Sequence, residues 1–294
     1  MSERPRELPL DIENGELIAR LHIAGAFTVA LVDTGFAGDA VVNTKNEQEI
    51  PVEDVCAYQG DVSFNLATVD GVHEQRAPSY RCPFAEEGGN AIGSYAVLAM
   101  ELSEDLPNIL TIDSLFNLYN KEEEDDDDAV IVEIRLAVAP RILRVGSNLT
   151  PFKHALYTEL LNGAYVVNLQ LFDPSTGNGL FASVVIDTGA TLGVTLGGDW
   201  AAKQQTDWRG KWGARQTMQQ ISAVGETIHS YEVDLQPWAV LSDDAETYIS
   251  LGLKTTPVYV NSTPIPDVDG YVGIDFLHHF NLQFHRAPAR VYIE

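Results

Sequence analysis

The chain has 294 residues, of which 45% are hydrophobic and 21% charged, a globular composition with enough apolar material for one large or two ordinary domains. Its 43 acidic and 18 basic residues give a formal net charge of −25. Nucleic acids and anionic membranes bind clustered Lys and Arg, so neither is expected as a partner, and no window approaches the ~18 consecutive apolar residues of a membrane span.

Short strands dominate the predicted elements. In chain order, apolar or alternating runs between turn-forming residues predict strands over 17–23, 28–32, 61–69, 130–138, 165–172, 181–186, 219–224, 230–235, 248–251 and 290–293. Helical patterns are fewer and shorter, over 107–119, 200–205 and 274–280. The pattern predicts an all-β protein with short helices.

The two cysteines and the N-terminus bear on the cellular location. Cys56 and Cys82 are too few for a disulfide framework and lack the spacing of metal ligands. They could pair with each other, but reduced and partly buried thiols are expected. Residues 1–7 are charged and precede no apolar segment, so no secretory signal is expected. These observations predict a cytoplasmic protein.

Two polar clusters raise the question of a metal. Residues 122–128 are seven consecutive acids, which repel one another and predict a solvated loop; the alternative is a calcium site, but the ligand spacing and turn glycine of an EF-hand are missing. His278 and His279 are adjacent and point to different faces of a helix. No metal and no cofactor are therefore expected.

An internal repeat is the most informative feature of the sequence. Asp33-Thr34-Gly35 recurs as Asp187-Thr188-Gly189, each time after a β-branched apolar strand. A candidate hairpin tip follows 38 residues after each aspartate, at Gly71 and at Gly225. Further along, the segment 111–118 is similar to the segment 273–282. Three landmarks in the same order indicate two homologous lobes.

These motifs resemble the aspartic proteases of the retropepsin and pepsin clan. In that family, Asp-Thr/Ser-Gly after an apolar strand forms the catalytic loop, a hairpin flap follows, and two hydrophobic residues and a glycine precede a short helix. Residues 271–277, Tyr-Val-Gly-Ile-Asp-Phe-Leu, fit the last element in its retropepsin-like form. The first half departs from the pattern at Thr111, which replaces the glycine, and at Phe36, which occurs in some retropepsin-like branches.

The resemblance implies a catalytic mechanism and a role for each motif residue. Asp33 and Asp187 would form a dyad that shares one proton and activates water. Thr34 and Thr188 would lock the two loops together, and the amides of Gly35 and Gly189 would donate to the carboxylates. The flap and substrate-binding residues would lie at the hairpin tips: Asp70, Gly71, Val224 and Gly225.

The sequence therefore predicts two homologous acid-protease β-barrel lobes with a cleft between them. The lobes span 1–145 and 152–294, with a linker over 146–151. The expected function is hydrolysis of extended peptide or protein substrates by an aspartic endopeptidase, as a monomer with pseudo-twofold symmetry. The alternatives are an inactive peptide-binding or scaffold protein on the same fold, and a protease active only as a homodimer or after self-processing.

Overall fold

Strands make up most of the molecule, and the computed structural model describes residues 5–36, 38–45, 50–68, 71–118, 130–221, 227–252 and 255–294. The first half of these residues forms β1 (Arg6–Glu13), β2 (Glu16–Ile23), β3 (Ala26–Asp33), β4 (Ala40–Asn43), α1 (Val52–Val55), β5 (Ala57–Thr68), β6 (Gly71–Glu86), β7 (Ala91–Met100), β8 (Asn108–Thr111), α2 (Ile112–Asn117), β9 (Ile131–Arg135) and β10 (Arg141–Gly146).

The second half repeats this plan with more and shorter elements. It forms β11 (His154–Leu156), β12 (Thr158–Leu161), β13 (Ala164–Asp173), β14 (Asn178–Ile186), β15 (Val194–Leu196), α3 (Gly198–Gln204), α4 (Trp208–Lys211), β16 (Arg215–Ile221), β17 (Thr227–Val233), β18 (Gln236–Leu241), β19 (Tyr248–Ser250), β20 (Val258–Asn261), β21 (Gly270–Val272), α5 (Ile274–Leu277), β22 (Asn281–Arg286) and β23 (Ala289–Ile293). The predicted all-β class is confirmed. None of the described helices has the length and apolar character needed to cross a lipid bilayer.

In each half, a parallel strand fixes the end of the strand that carries the repeated aspartate. β3 pairs in parallel with β8, where Asp33 lies opposite Thr111. β14 pairs in parallel with β21, where Ile186 lies opposite Val272. Each partner strand leads directly into a short helix, α2 or α5. The similar segments 111–118 and 273–282 therefore each begin beside the Asp-Thr-Gly loop of their own half.

A six-stranded arrangement joins the two halves, in the order β11-β23-β22-β9-β10-β1. The central pair, β22 and β9, is antiparallel and places Gln283 opposite Glu133. Both side chains are buried, and the Gln283 amide donates to Glu133 Oε2 at 2.7 Å. Arg135 Nε also donates to Glu133, at 2.6 Å, and Arg144 does so at 3.3 Å. All three of these partners of the buried carboxylate are donors, as burial of a charge requires.

The prediction of reduced thiols is wrong: Cys56 and Cys82 form a disulfide, with their Cα atoms 4.7 Å apart. The cause is the register of the β5–β6 hairpin, which pairs Ala57 with Arg81 and so brings the two neighbouring cysteines together. A separation of 26 residues in sequence does not reveal that register. Disulfides persist in oxidising compartments, so this bond weighs against a cytoplasmic location, which stays a prediction.

A further prediction differs from the structure. The helix predicted over 107–119 begins only at Ile112, because residues 108–111 form the buried strand β8 between β3 and β4. A short apolar run does not distinguish strand from helix by periodicity.

The two hairpins have unequal strands: 12 and 16 residues in β5 and β6, but seven each in β16 and β17. The acidic run 122–128 lies outside the described residues.

Replacing Glu133 with Ala should destabilise the junction between the halves. The change leaves the buried Gln283 amide without one acceptor and removes the partner of two guanidinium groups. We expect a loss of about 2 kcal/mol in the free energy of unfolding, measured by urea denaturation. Glu7→Ala is the matched control, because Glu7 also pairs with Arg144 but its side chain is 52% exposed, and it should cost less than about 0.5 kcal/mol. Equal losses in the two variants would contradict this role of Glu133.

Removing the disulfide should also lower stability. For a loop of this length, the variant with Cys56→Ser and Cys82→Ala should lose about 3 kcal/mol, because the bond restricts the unfolded chain. The check is urea denaturation of the oxidised protein, the protein treated with dithiothreitol, and the double variant. The last two should agree with each other, and a reductant that leaves the midpoint unchanged would refute the expectation.

Candidate active site

The first Asp-Thr-Gly loop holds the carboxyl group of Asp33 by backbone hydrogen bonds. β3 ends at Asp33, and the chain then turns so that two successive amides face the side chain. Gly35 N donates to Asp33 Oδ1 at 2.9 Å and Phe36 N donates to the same oxygen at 3.0 Å. This arrangement fixes the orientation of the carboxyl group and leaves Oδ2 free of these two amides.

The second loop repeats the arrangement around Asp187. Gly189 N donates to Asp187 Oδ1 at 2.9 Å and Ala190 N donates to it at 3.1 Å. The backbone N–H of Asp187 itself donates to Val272 O at 3.0 Å, which ties the loop to β21. The two carboxyl groups are therefore held in the same way by the same positions of the repeat.

Thr34 and Thr188 connect the two loops across the junction of the halves, as the resemblance implied. Thr34 N donates to Thr188 Oγ1 and Thr188 N donates to Thr34 Oγ1, both at 3.1 Å. Each hydroxyl then donates to the strand of the other half, Thr34 Oγ1 to Ile186 O at 2.8 Å and Thr188 Oγ1 to Val32 O at 2.6 Å. Both threonines are fully buried, so neither loop can move without breaking these bonds.

Gly35 and Gly189 allow the carboxyl groups to approach each other. A Cβ atom on Gly35 would lie 2.5 Å from Asp187 Cγ, and a Cβ atom on Gly189 would lie 2.5 Å from Asp33 Cγ. Each glycine thus contacts the carboxyl group of the opposite loop, and no larger residue fits there without moving an aspartate side chain. The motif glycines are needed for this close packing as well as for their amide donors.

The two carboxyl groups form a hydrogen bond with each other, and their pKa values are raised. Burial raises the pKa of Asp33 well above its usual value, and the charge of Asp187 and the hydrogen bond between the two side chains add to the effect. Burial also raises the pKa of Asp187, but there the hydrogen bond from Asp33 acts in the opposite direction. The pair therefore holds a proton at a pH at which a single exposed aspartate has lost it, and that proton belongs to the pair as a unit.

The residues predicted at the hairpin tips are described only in part. Gly71 begins β6 and lies opposite Thr68 at the end of β5, so a long hairpin does lead to this position. In the second half, β16 and β17 pair as far as Ile221 and Thr227. Asp70, Val224 and Gly225 lie outside the described residues, and their predicted roles in flaps stay predictions.

Phe36, one of the two departures from the family pattern, has an apolar environment. It packs against a small buried cluster that is separate from the main core, and so do Phe64 and Leu106. The members of this cluster come from four strands and a loop of the first half: Val41, Ala77, Leu98, Met100, Leu102 and Ile109. Ala77 and Phe64 belong to the β5–β6 hairpin, so the first Asp-Thr-Gly loop, through Phe36, and the middle of that hairpin contact the same apolar cluster.

Thr111, the other departure, fits where its counterpart must be a glycine. In the second half, a Cβ atom on Gly273 would lie 2.1 Å from Leu192 O and 2.5 Å from Ala190 O. In the first half, Thr111 is buried and its hydroxyl donates to Gly38 O. Thr111 Oγ1 also accepts from Ser114 N at 3.1 Å, which caps α2. The loop around Gly38 thus leaves room for the side chain and uses its hydroxyl.

Sequence reasoning missed the amides of Phe36 and Ala190, the capping role of Thr111 and a contact between Asp113 and Arg286. The repeat itself could have indicated the two amides, because they occupy the same position in both loops. A group of three or more His, Cys, Asp or Glu side chains that could hold a metal ion is not found among the described residues.

Comparisons with known proteins place this geometry in a fold. An aspartic proteinase from Irpex lacteus superposes with a TM-score of 0.62 at 13% identity, over 98% of this chain and 96% of that chain. Basic 7S globulin from soybean superposes with a TM-score of 0.60 at 12% identity, over 99% and 95%. No protein-family model and no curated protein matches the sequence. These likenesses show the bilobal, all-β fold of pepsin-like aspartic proteinases.

The raised pKa values predict how stability depends on pH. A carboxyl group whose pKa is higher in the folded state binds its proton more tightly there, so its contribution to stability is lost as the pH rises from about 4 through the folded pKa. Asp33→Asn removes the repulsion between the two carboxylates. The variant and the wild type should have similar stability at pH 3, and the variant should become progressively more stable than the wild type at higher pH.

Urea denaturation at a series of pH values measures this difference, with the exposed Asp105→Asn as the control. The control variant should follow the wild type at every pH. A difference between Asp33→Asn and the wild type that stays constant from pH 3 to pH 8 would show that the dyad does not retain a proton in the folded state.

Proposed function

We propose that this protein is an aspartic endopeptidase that hydrolyses peptide bonds with the dyad Asp33 and Asp187. The observation that supports the proposal is the pair of buried carboxyl groups, one from each half, that lie against each other's loops and have raised pKa values. Four hydrogen bonds of Thr34 and Thr188 fix the loops that carry them. A carboxylate beside a carboxylic acid supplies both the general base and the general acid for attack of water on an amide, without a metal.

The chemistry follows from one proton shared by two carboxyl groups, and it starts from the state in which Asp33 holds that proton and Asp187 is the carboxylate. Asp187, the carboxylate, accepts a proton from water as the water oxygen attacks the carbonyl carbon of the substrate. Asp33 donates its proton to the carbonyl oxygen, which gives a neutral tetrahedral diol. The carbon–nitrogen bond then breaks as the nitrogen takes the proton held by Asp187, and a proton from the diol returns to Asp33. The products are a carboxylic acid and an amine, and the dyad regains its starting state.

The proposed substrate is an extended peptide segment. Such a segment can add strand-like backbone hydrogen bonds along the β5–β6 hairpin, and the apolar surroundings of Phe36 favour hydrophobic side chains near the first loop. The net charge of −25 attracts cationic peptides over a longer range. The protein is proposed to act as a monomer, because both aspartates of the dyad belong to one chain.

The retropepsin-like branch of the clan is a finer part of the proposal. Its support is the Asp-Thr-Gly-Phe sequence of the first loop and the Gly-Ile-Asp-Phe-Leu sequence that ends at Leu277. The single chain and the unequal hairpins are features of a two-lobed, pepsin-like arrangement. The proposed enzyme therefore combines local sequence features of one branch with the chain organisation of the other.

A peptide-binding or scaffold protein without activity is the second candidate. The likeness to Basic 7S globulin is nearly as strong as the likeness to the proteinase, and fold alone does not decide function. The contact between Asp33 and Asp187 favours the enzyme, since a binding protein has no need of two adjoining buried carboxyl groups whose pKa values are both raised.

Single substitutions of the dyad test the proposal. Asp33→Asn and Asp187→Asn should each reduce kcat/KM for peptide cleavage by about 1,000-fold or more, because each removes one of the two proton-transfer groups. A library of fluorogenic peptides, assayed from pH 3 to pH 8, measures this. The exposed Asp105→Asn should cleave as the wild type does, and a statine-type inhibitor should stop the wild type.

The outcomes separate the candidates. Full activity in either single variant would exclude the shared dyad and indicate homodimers in which each lobe pairs with its own copy. A wild type that cleaves nothing at any pH but binds peptides, measured by fluorescence anisotropy, would favour the scaffold. Cleavage that appears only after the chain has been shortened would indicate self-processing.

A further inference from the structure

The contact between Asp113 and Arg286 joins the second half of the molecule to the first catalytic loop. Arg286 lies on β22 and donates through Nη2 to Asp113 Oδ1 at 2.7 Å. Asp113 lies on α2 and accepts from Gly38 N through its other oxygen, at 2.8 Å. Gly38 follows the Asp33 loop and precedes β4. One carboxylate therefore connects an arginine of the second half with the backbone of the loop that holds Asp33.

Gly38 is held on both sides by the first turn of α2. Its N–H donates to Asp113 and its carbonyl oxygen accepts from the Thr111 hydroxyl. Its φ angle of +105° lies in the left-handed region, which a residue with a side chain rarely adopts. The backbone conformation at the end of the loop thus depends on the positions of two side chains, that of Thr111 just before α2 and that of Asp113 in its first turn.

Arg286 makes a second contact with the same helix. Its guanidinium carbon lies 4.9 Å from the centre of the Phe116 ring, a distance at which the ring attracts a cation. Asp113 also lies beside Asp39, whose pKa is raised by burial and by the charge of Asp113. Arg286 therefore brings positive charge to a place where two carboxyl groups lie close together.

The second catalytic loop is held in a different way. Three backbone amides of its own half donate to it: Gly273 N to Gly193 O at 2.8 Å, Ile274 N to Ala190 O at 2.8 Å, and Asp275 N to Thr191 O at 3.2 Å. Asp275 corresponds to Asp113 in the repeat, and its residue is exposed. The contact with an arginine of the opposite half is thus described for the first loop, which carries Asp33.

We propose that Arg286 is a positioning residue for the dyad, which acts through Asp113 and Gly38 on the first catalytic loop. It makes the placement of Asp33 depend on the correct docking of the second half. This inference rests on the proposed function for its kinetic consequence, but the structural coupling can be measured without activity.

The test compares variants of Arg286 with a matched ion pair. Arg286→Met removes the charge and the hydrogen bond while it keeps an apolar chain over Phe116. Arg290→Met is the control, because Arg290 pairs with Asp243 at 3.0 Å with side-chain exposures of 39% and 34%, close to the 32% and 33% of Arg286 and Asp113. Arg286→Lys restores the charge, and Asp113→Asn keeps an acceptor for Gly38 N while it removes the ion pair.

A displaced catalytic loop affects the transition state more than the bound substrate. We expect Arg286→Met to lower kcat by about 10- to 100-fold with little change in KM, Arg286→Lys to recover part of the loss, and Arg290→Met to match the wild type. Asp113→Asn should also lower kcat, and it tests the same link if Arg286→Met does not fold. An unchanged kcat in both, or an equal loss in Arg290→Met, would overturn the inference.

Hydrogen exchange supplies the readout that does not depend on catalysis. The amides of Gly38, Gly35 and Phe36, followed by NMR, should exchange about tenfold faster in Arg286→Met than in the wild type and at the wild-type rate in Arg290→Met. Unchanged exchange at these three amides would overturn the inference even if activity fell. If the wild type shows no activity, the proposed function fails, and the exchange rates still decide whether Arg286 positions the loop.

Discussion

Two carboxyl groups in hydrogen-bond contact repel each other once both are ionised, and the centre of the molecule is arranged around that repulsion. The amides of each loop neutralise part of the charge, the opposed glycines allow the approach, and the buried threonines prevent the loops from moving apart. Remote parts contribute as well, since β8 and β21 fix the strand ends from which the loops start. The site therefore uses stability supplied by the rest of the fold to hold a pair that is unfavourable by itself.

The two halves reach the same local geometry by different means. In the second half, backbone amides next to Gly273 hold the loop, and the backbones approach so closely that no side chain fits. In the first half, the side chains of Thr111 and Asp113 bind the loop at Gly38. The close backbone contact at Gly273 tolerates few substitutions of that glycine. A side chain such as that of Asp113 can instead bind the loop through one oxygen and a further residue, Arg286, through the other. The departure of the first half from the family pattern thus accompanies a connection between the halves.

The sequence indicates the candidate site residues because the motif is local and is repeated. Asp33, Asp187 and the glycines and threonines beside them follow from two copies of three residues, and the all-β class follows from short apolar runs. The remaining features depend on contacts between distant segments. Asp113 and Arg286 are 173 residues apart, the disulfide depends on the register of one hairpin, and β8 is a short buried run whose periodicity does not separate it from a helix. Neither spacing nor composition indicates such contacts.

The pairing of Glu133 with Gln283 affects whether the first half, produced alone, could form a dimer. If the first half were produced alone, β9 would have an unpaired edge, and a second copy of β9 is its natural partner. In the register seen here, that self-pairing would place Glu133 directly opposite the Glu133 of the other copy, with both carboxylates buried. Like charges at facing positions oppose strand pairing, and Gln283 removes this conflict by donating where a second carboxylate could not. The side-chain amide of Gln283 thus favours pairing of β9 with β22 of the same chain over pairing of β9 with a second copy of itself.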